Sequence, residues 1–303
     1  MNPCTLCPRM CGVDRTASHG FCGAPDTLEV SAVCVHRGEE PPLNPIVNVF
    51  FSHCNLQCIY CQNYQISRGE RSKVKGKTYT VDQLADLIVH HLSLIAPHSS
   101  PLLGFVTAAH YIHYIPHILN AVHQRGLHPV TVYNSSGYES VDSLRTLEGL
   151  IDIYLPDLKY MDPQLAYAYS QAADYPEVAT AALEEMIRQV GIGLKVDDDG
   201  RAYRGLIVRH LVLPGHVDNS FAVLRHLHQL STTHYPLPTL SLMAQYYPPF
   251  EGLPSPLDRT VTPEEYAAVV ARAEELGLTD GWIQEFEAQN NYRPDFSRQN
   301  PFE

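Results

Sequence analysis

The feature that most constrains this chain is a run of three cysteines, Cys54, Cys58 and Cys61, which we call the cysteine triad. Its spacing is Cys-x3-Cys-x2-Cys, with Tyr60 directly before the last cysteine. Three thiolates on one short loop suit three irons of a cubic 4Fe–4S cluster, whereas a fully ligated cube takes four. A structural zinc also takes four closed ligands. The triad therefore predicts an open metal centre, with one iron free to bind a small molecule; the alternatives are a zinc loop or three unrelated cysteines.

The distribution of cysteines indicates a reducing compartment. All eight lie in the first 61 of 303 residues. Disulfide frameworks are typical of short secreted chains, and this N-terminus has no charged stretch followed by an apolar one. No apolar run reaches about 18 residues, as a membrane span would. We expect a cytoplasmic, metal-binding protein with no membrane partner, and the net charge of −12 argues against nucleic acid.

A second set, Cys4, Cys7, Cys11 and Cys22, is called the N-terminal cysteine group. Its x2, x3 and x10 spacings complete a tetrathiolate that either zinc or a second iron–sulfur cluster would satisfy. A segment this small needs a cross-link to be stable, and a closed structural metal site provides one. Cys34 is left over, and we expect it to be a small buried residue.

Further along the chain, apolar β-rich runs alternate with amphipathic helical patterns. Strands are predicted at 46–52, 102–107, 129–133, 151–155, 206–213 and 239–243. Helices are predicted from residue 80, at 115–125, 140–147, 176–190 and 220–230, and from 262 to 277. This alternation predicts an α/β fold with a parallel sheet, and it fits a curved partial barrel or a flat doubly wound sheet.

Polar residues follow each predicted strand, where the active site lies in barrels of parallel strands. In strand order they are the cysteine triad, Thr107 and His110, residues 134–137 (NSSG), Asp157 and Lys159, residues 214–216 (PGH), and Gln245 with Tyr246. Any one of them could be turn chemistry. Six in succession predict a single site along one rim.

The triad spacing resembles the signature of the radical S-adenosylmethionine enzymes. The chain resembles the pyruvate formate-lyase activating enzymes more closely, and their uncharacterised paralogues most closely. The matching stretches are 38–42 (GEEPP), 50–52 (FFS), 60–64 (YCQNY), 133–138 (YNSSGY), 152–160 (DIYLPDLKY), 208–215 (VRHLVLPG) and 243–248 (MAQYYP). The resemblance implies a partial (β/α)6 barrel, a 4Fe–4S cluster and S-adenosylmethionine, whose amino and carboxylate groups chelate the open iron.

The groups of that cofactor suggest roles for the polar residues. The segment 59–60, with Tyr60, offers a backbone edge for adenine, and Asn134 and Ser136 are candidates for the ribose hydroxyls. Lys159 or Arg209 would pair with the carboxylate. The alternative for Arg209 is an ion pair with Asp157. Two further candidates follow the second strand, Thr107 and His110, and the alternative for the histidine is a structural role.

The strand-four Asp-x-Lys of the activating enzymes maps onto Asp157 and Lys159. Two departures from the pattern matter. The superfamily's second-strand Gly-Gly-Glu-Pro, which meets the cofactor amino group, is absent, and residues 107–110 (TAAH) stand there. The GEEP at 38–41 precedes the first strand, so it is not equivalent to the superfamily's Gly-Gly-Glu-Pro segment. Residues 43–48 also replace a glycine-rich turn of the relatives.

The resemblance implies an enzyme that cleaves S-adenosylmethionine to a 5′-deoxyadenosyl radical and abstracts hydrogen from a substrate. Two such functions differ in their substrate: the enzyme either installs a glycyl radical on a partner enzyme, or modifies a peptide or small metabolite. A flavodoxin- or ferredoxin-type protein would donate the electron. The alternative is an iron–sulfur electron-transfer or redox-sensing protein. We expect a cysteine-rich metal module at 1–42, the barrel at 43–250 and a C-terminal helix and tail at 251–303.

Overall fold

The computed structural model describes residues 3–68, 72–95, 101–234, 237–290 and 293–303. Its strands, numbered in chain order, are β1 (Glu29–His36), β2 (Ile46–Phe51), β3 (Lys77–Thr78), β4 (Leu102–Val106), β5 (Val130–Ser135), β6 (Ile153–Pro156), β7 (Lys195–Val196), β8 (Ala202–Leu211), β9 (Thr239–Met243) and β10 (Gly281–Ile283).

Seven of these strands form a parallel array. Their order is β2-β4-β5-β6-β8-β9-β10, so each pairs with the next parallel strand along the chain. Because the order never reverses, the crossovers all run in one direction, and the right-handed rule places their helices on one face. This arrangement is the expected partial barrel and not a doubly wound sheet. The seventh strand, β10, is additional to the six predicted from the sequence.

The helices are α1 (Tyr64–Ser67), α2 (Val81–Ile95), α3 (Ile115–Gln124), α4 (Val141–Arg145), α5 (Pro163–Ser170), α6 (Tyr175–Val190), α7 (Val217–His234) and α8 (Pro263–Glu275). α2 buries Leu84, Ala85, Ile88 and Leu92, whose spacings of three and four residues are those of a helix packed on one face. Among the described residues, no helix has both the length and the apolar character that crossing a bilayer requires.

The strands read as continuous apolar runs because both faces of the sheet are covered. All six residues of β2 and all five of β4 are buried, which is typical of parallel strands. Gly104 in β4 leaves room for a polar neighbour. A Cβ at this position would lie 2.0 Å from Asn48 Oδ1, so a larger residue would displace the amide.

The N-terminal segment continues into the sheet. β1 pairs antiparallel with β2 and covers the outer side of the first barrel strand. Residues 29–36 of the expected cysteine-rich module thus lie in the main sheet. Cys34, in this strand, is 3% exposed and packs against Phe50, in agreement with a small buried role.

Candidate functional site

A cavity of about 540 Å³ lies inside the barrel. Ligand sites in proteins commonly span about 300–1,000 Å³, so a nucleotide-sized molecule has room here. Most of the residues selected from the sequence line it: Cys54, Cys58, Cys61, Tyr60, Thr107, Asn134, Ser136, Asp157, Lys159 and Arg209. Five of the six predicted groups contribute to the cavity wall, since Gln245 lines it as well, whereas residues 214–216 do not.

The thiols of the cysteine triad receive hydrogen bonds from three groups. Leu56 N donates to Cys54 Sγ at 3.4 Å, Ser170 Oγ to Cys58 Sγ at 2.9 Å, and Ser67 Oγ to Cys61 Sγ at 3.4 Å. Such donors stabilise negatively charged sulfur and tune iron–sulfur clusters.

Burial works against ionisation of these thiols. It raises the pKa of Cys54 to about 12, and it raises the pKa of Cys58 although Lys159 opposes the shift. The thiolates that a metal binds are deprotonated by that metal. The buried triad therefore favours a bound cation over free thiolates.

The cysteine triad places three thiols on the wall of one cavity. In a cubic cluster each cysteine binds its own iron, so the sulfurs stand apart and need not converge on one point. Three cysteine side chains on the wall of a shared cavity meet that requirement.

Asp157 and Lys159 form an ion pair on the cavity wall. Lys159 Nζ donates to Asp157 Oδ2, with the two side chains 18% and 24% exposed. Burial acts to lower the pKa of Lys159, but Asp157 and then Cys58 outweigh it, and the pKa lies well above its usual value. The backbone of Lys159 is held in place, because Lys159 N donates to Tyr175 Oη at 3.0 Å and Asn219 Nδ2 donates to Lys159 O at 2.9 Å.

The neutral polar residues lie on neighbouring strand ends. Thr107 has a φ of 57°, and its N–H donates to Asn134 O at 3.0 Å. This left-handed turn joins the ends of β4 and β5 beside the cavity. Tyr60 Oη shares a 2.6 Å hydrogen bond with Tyr160 Oη. Ser136 O accepts from the Tyr175 hydroxyl at 2.8 Å.

Arg209 lines the cavity but is held by other partners than expected. Its Nε donates to Glu40 Oε1 at 2.8 Å and its Nη2 to Glu40 Oε2 at 2.6 Å and to Glu39 Oε2. The ion pair with Asp157 that was the alternative is therefore wrong, and only the two backbones pair. Two carboxylates from the segment before β2 neutralise the guanidinium, which leaves Lys159 as the more available cation for an anionic group.

His110 does not line the cavity. A 3-10 helix at Ala109–Tyr114 carries it away from the end of β4. The ring is 2% exposed, and its Nε2 lies 2.7 Å from Ser52 O. Burial lowers the pKa of His110 to about 3, so the ring is neutral. The geometry favours the structural alternative for this histidine.

Ser170 was missed because α5 was missed. Its hydroxyl contacts Cys58, and α5 begins at Pro163 after Asp162. The Asp162 side chain accepts from Gln164 N and Leu165 N at 2.8 and 3.3 Å. An Asp-Pro pair is an N-cap followed by proline at the first helical position, so this signal was present in the sequence.

No family model matches the chain. An uncharacterised protein of Methanocaldococcus jannaschii is 26% identical over 279 residues, which cover 91% of this chain and 75% of that protein. A second uncharacterised protein of the same organism is 20% identical over 241 residues, covering 74% of this chain and 65% of the other.

Two solved structures share the fold. The FeFe-hydrogenase maturase HydG superposes with a TM-score of 0.51 at 16% identity over 78% of this chain. HydG from Carboxydothermus hydrogenoformans gives 0.50 at 14% identity over 78%. This chain spans about half the length of either HydG chain, 51% and 53%. At these identities the similarity concerns the fold alone.

Proposed function

We propose that this protein is a radical S-adenosylmethionine enzyme. The observation that carries the proposal is the shared cavity of the cysteine triad and the ion pair of Asp157 and Lys159. A cluster with one open iron, held by the triad, would supply the electron that cleaves S-adenosylmethionine to a 5′-deoxyadenosyl radical, which then abstracts hydrogen from the substrate.

The chain's own residues bind and orient the cofactor. Lys159 presents a fixed ammonium to the cofactor carboxylate, and Asp157 holds that ammonium in place. Asn134 and Ser136 offer neutral polar groups for the ribose hydroxyls. A hydrogen bond to Tyr160 fixes the Tyr60 side chain on the cavity wall, and the backbone of Tyr60 is the proposed edge for adenine.

The cavity walls also limit water. Val106 and Met243 contribute apolar side chains beside the polar rim, and both are less than 10% exposed. A radical intermediate requires exclusion of competing hydrogen donors, as closed active sites provide. A protein that only transfers electrons needs no cavity of this size, so the enzyme accounts for more of the structure than an electron-transfer or redox-sensing protein.

The test is formation of 5′-deoxyadenosine. The protein is reconstituted with iron and sulfide without oxygen, reduced, and mixed with S-adenosylmethionine. We expect wild type to release 5′-deoxyadenosine and a triad variant (Cys54→Ala, Cys58→Ala, Cys61→Ala) to release none. The matched control is Cys34→Ala, a buried cysteine outside the cavity, which should retain cleavage. Equal release by wild type and the triad variant would refute the proposal.

A further inference from the structure

Ser170, the last residue of α5, contacts the cysteine triad through its side chain. Its Oγ donates to Cys58 Sγ at 2.9 Å, a shorter bond than the 3.4 Å bonds to Cys54 and Cys61. Ser170 is fully buried, and Cys58 is 8% exposed. Burial raises the pKa of the Cys58 thiol, and the bond from Ser170 acts against that shift. In such a buried place a hydrogen bond is electrostatically stronger than in water.

The end of α5 is joined to the loop that carries the cysteine triad. Ile59 N donates to Tyr169 O at 2.9 Å. The Arg9 guanidinium donates to Ser170 O at 3.1 Å and to Asn55 O at 2.9 Å, so it bridges the helix end and the loop. These bonds fix the backbone of the serine relative to the triad.

The Ser170 hydroxyl also contacts a pair of buried tyrosines. Ser170 Oγ lies 2.8 Å from Tyr160 Oη, and Tyr160 Oη lies 2.6 Å from Tyr60 Oη. Tyr160 is fully buried, and Tyr60 is 5% exposed. Three successive hydrogen bonds therefore lead from Tyr60 to Cys58, which we call the hydroxyl chain.

The chemistry of a metal-bound cysteine sets the direction of these bonds. A cysteine that binds iron has lost its proton, so the proton between Ser170 and Cys58 belongs to the serine. Because Ser170 has a single proton to give, its oxygen accepts from Tyr160, and Tyr160 in turn accepts from Tyr60. All three hydroxyl groups then point their protons towards the sulfur. Hydrogen bonds aligned in this way polarise one another, by about 10–30% per bond.

We propose that the hydroxyl chain of Tyr60, Tyr160 and Ser170 raises the reduction potential of the cluster at the cysteine triad, acting through Cys58. Reduction adds negative charge to the cluster, and the chain presents the positive ends of aligned dipoles to one of its thiolates. The chain therefore stabilises the reduced cluster more than the oxidised one. The inference rests on the part of the proposed function that places an iron–sulfur cluster at the triad, and it needs no cofactor cleavage.

A redox titration followed by electron paramagnetic resonance tests the hydroxyl chain. The protein is reconstituted with iron and sulfide without oxygen, and the triad cluster is identified as the signal that the triad variant lacks. We expect Ser170→Ala to keep this cluster and to shift its reduction potential to a more negative value. Tyr160→Phe keeps the bond from Ser170 to sulfur but removes the donor to Ser170. It should shift the potential in the same direction by a smaller amount.

Matched controls change the same residue types at buried positions where the hydroxyl has another partner. Ser220 is 1% exposed, and its Oγ lies 2.9 Å from His210 Nε2. Tyr154 is fully buried, and its Oη donates to Gln189 Oε1 at 2.7 Å. Ser220→Ala and Tyr154→Phe should both keep the wild-type potential.

The outcomes separate this inference from the proposed function. A triad cluster with the wild-type potential in Ser170→Ala would overturn the inference and leave the proposed function standing. A shift in Ser170→Ala without one in Tyr160→Phe would overturn the chain and confine the effect to the serine. If Ser170→Ala does not retain the cluster, a wild-type potential in Tyr160→Phe overturns the inference. A wild-type protein without any triad-dependent signal would overturn both.

Discussion

Lys159 is the residue on which cofactor affinity should depend most. Loss of a charge-assisted hydrogen bond typically costs about 1.5–3 kcal/mol, which corresponds to roughly 10- to 150-fold weaker binding. We expect Lys159→Ala to weaken S-adenosylmethionine binding by this factor and to retain its iron, as calorimetric titration and metal analysis would show.

The control for that substitution is Lys195→Ala, because Lys195 lies exposed on β7. It should bind the cofactor as wild type does. If Lys159→Ala with an intact cluster showed wild-type affinity, Lys159 would serve only to pair with Asp157.

A second residue, Glu139, should make stability depend on pH. The carboxylate is 2% exposed and accepts from Ser135 Oγ at 2.7 Å and Tyr133 Oη at 3.1 Å. Burial raises its pKa to about 7, against the opposing hydrogen bonds. Because the pKa of Glu139 is higher in the folded protein than in the unfolded chain, the protonated side chain stabilises the fold. This stabilisation is fully present below about pH 4.5 and is lost as pH rises through about 7.

Glu139→Gln removes this titration. We expect the difference in free energy of unfolding, variant minus wild type, to increase by roughly 3 kcal/mol as pH is raised from about 4.5 to 8, because only wild type loses the stabilisation by protonated Glu139. Urea unfolding at several pH values measures it. Replacing the exposed Glu177 with Gln should give no such trend. A difference between Glu139→Gln and wild type that is constant across pH would contradict the assignment.

At the scale of elements, Arg209 ties β8 to the segment before β2. Arg209→Met would leave Glu39 and Glu40 buried without their cation, and breaking a buried pair in this way typically costs about 3–5 kcal/mol. We expect that loss in the free energy of unfolding. Arg125→Met should cost much less, because its partners Asp82 and Asp86 are 78% and 70% exposed. Equal losses would show that the buried cluster contributes nothing specific.

β2, β4, β6 and β9 could be predicted because both faces of each are buried. β9 was predicted at its observed bounds, and β2 and β4 to within one residue at their C-terminal ends. β1 and β10 were missed for different reasons. β1 lies among the cysteines, whose spacing dominates that segment. β10 has only three residues, Gly281–Ile283, which are too few to show a period.

The site residues at strand ends could be predicted from the sequence. Contacts between side chains that are far apart in the sequence could not. Asn134, Asp157 and Lys159 reach the cavity because they lie in the last residues of parallel strands or directly after them. The partners of Arg209 lie 169 and 170 residues away in the chain, a separation that no local pattern reveals. The orientation of the 3-10 helix that carries His110 away from the cavity is likewise a tertiary property.

At the scale of the whole molecule, the chain joins one barrel cavity to one cysteine-rich loop. Arg9 fixes the N-terminal loop beside the triad, because its Nε donates to Asn55 O at 2.9 Å. The cavity is lined by the three cysteines of the triad and by none of the four N-terminal cysteines. This arrangement predicts that the iron with no cysteine ligand faces the cavity.

The most direct test is whether that iron binds S-adenosylmethionine. The cofactor, isotopically labelled at its carboxylate oxygens and amino nitrogen, is added to the reduced protein, and electron–nuclear double resonance detects coupling of the labels to the cluster. The account predicts coupling in wild type and none in the triad variant. Bound cofactor without any coupling to an intact triad cluster would contradict it.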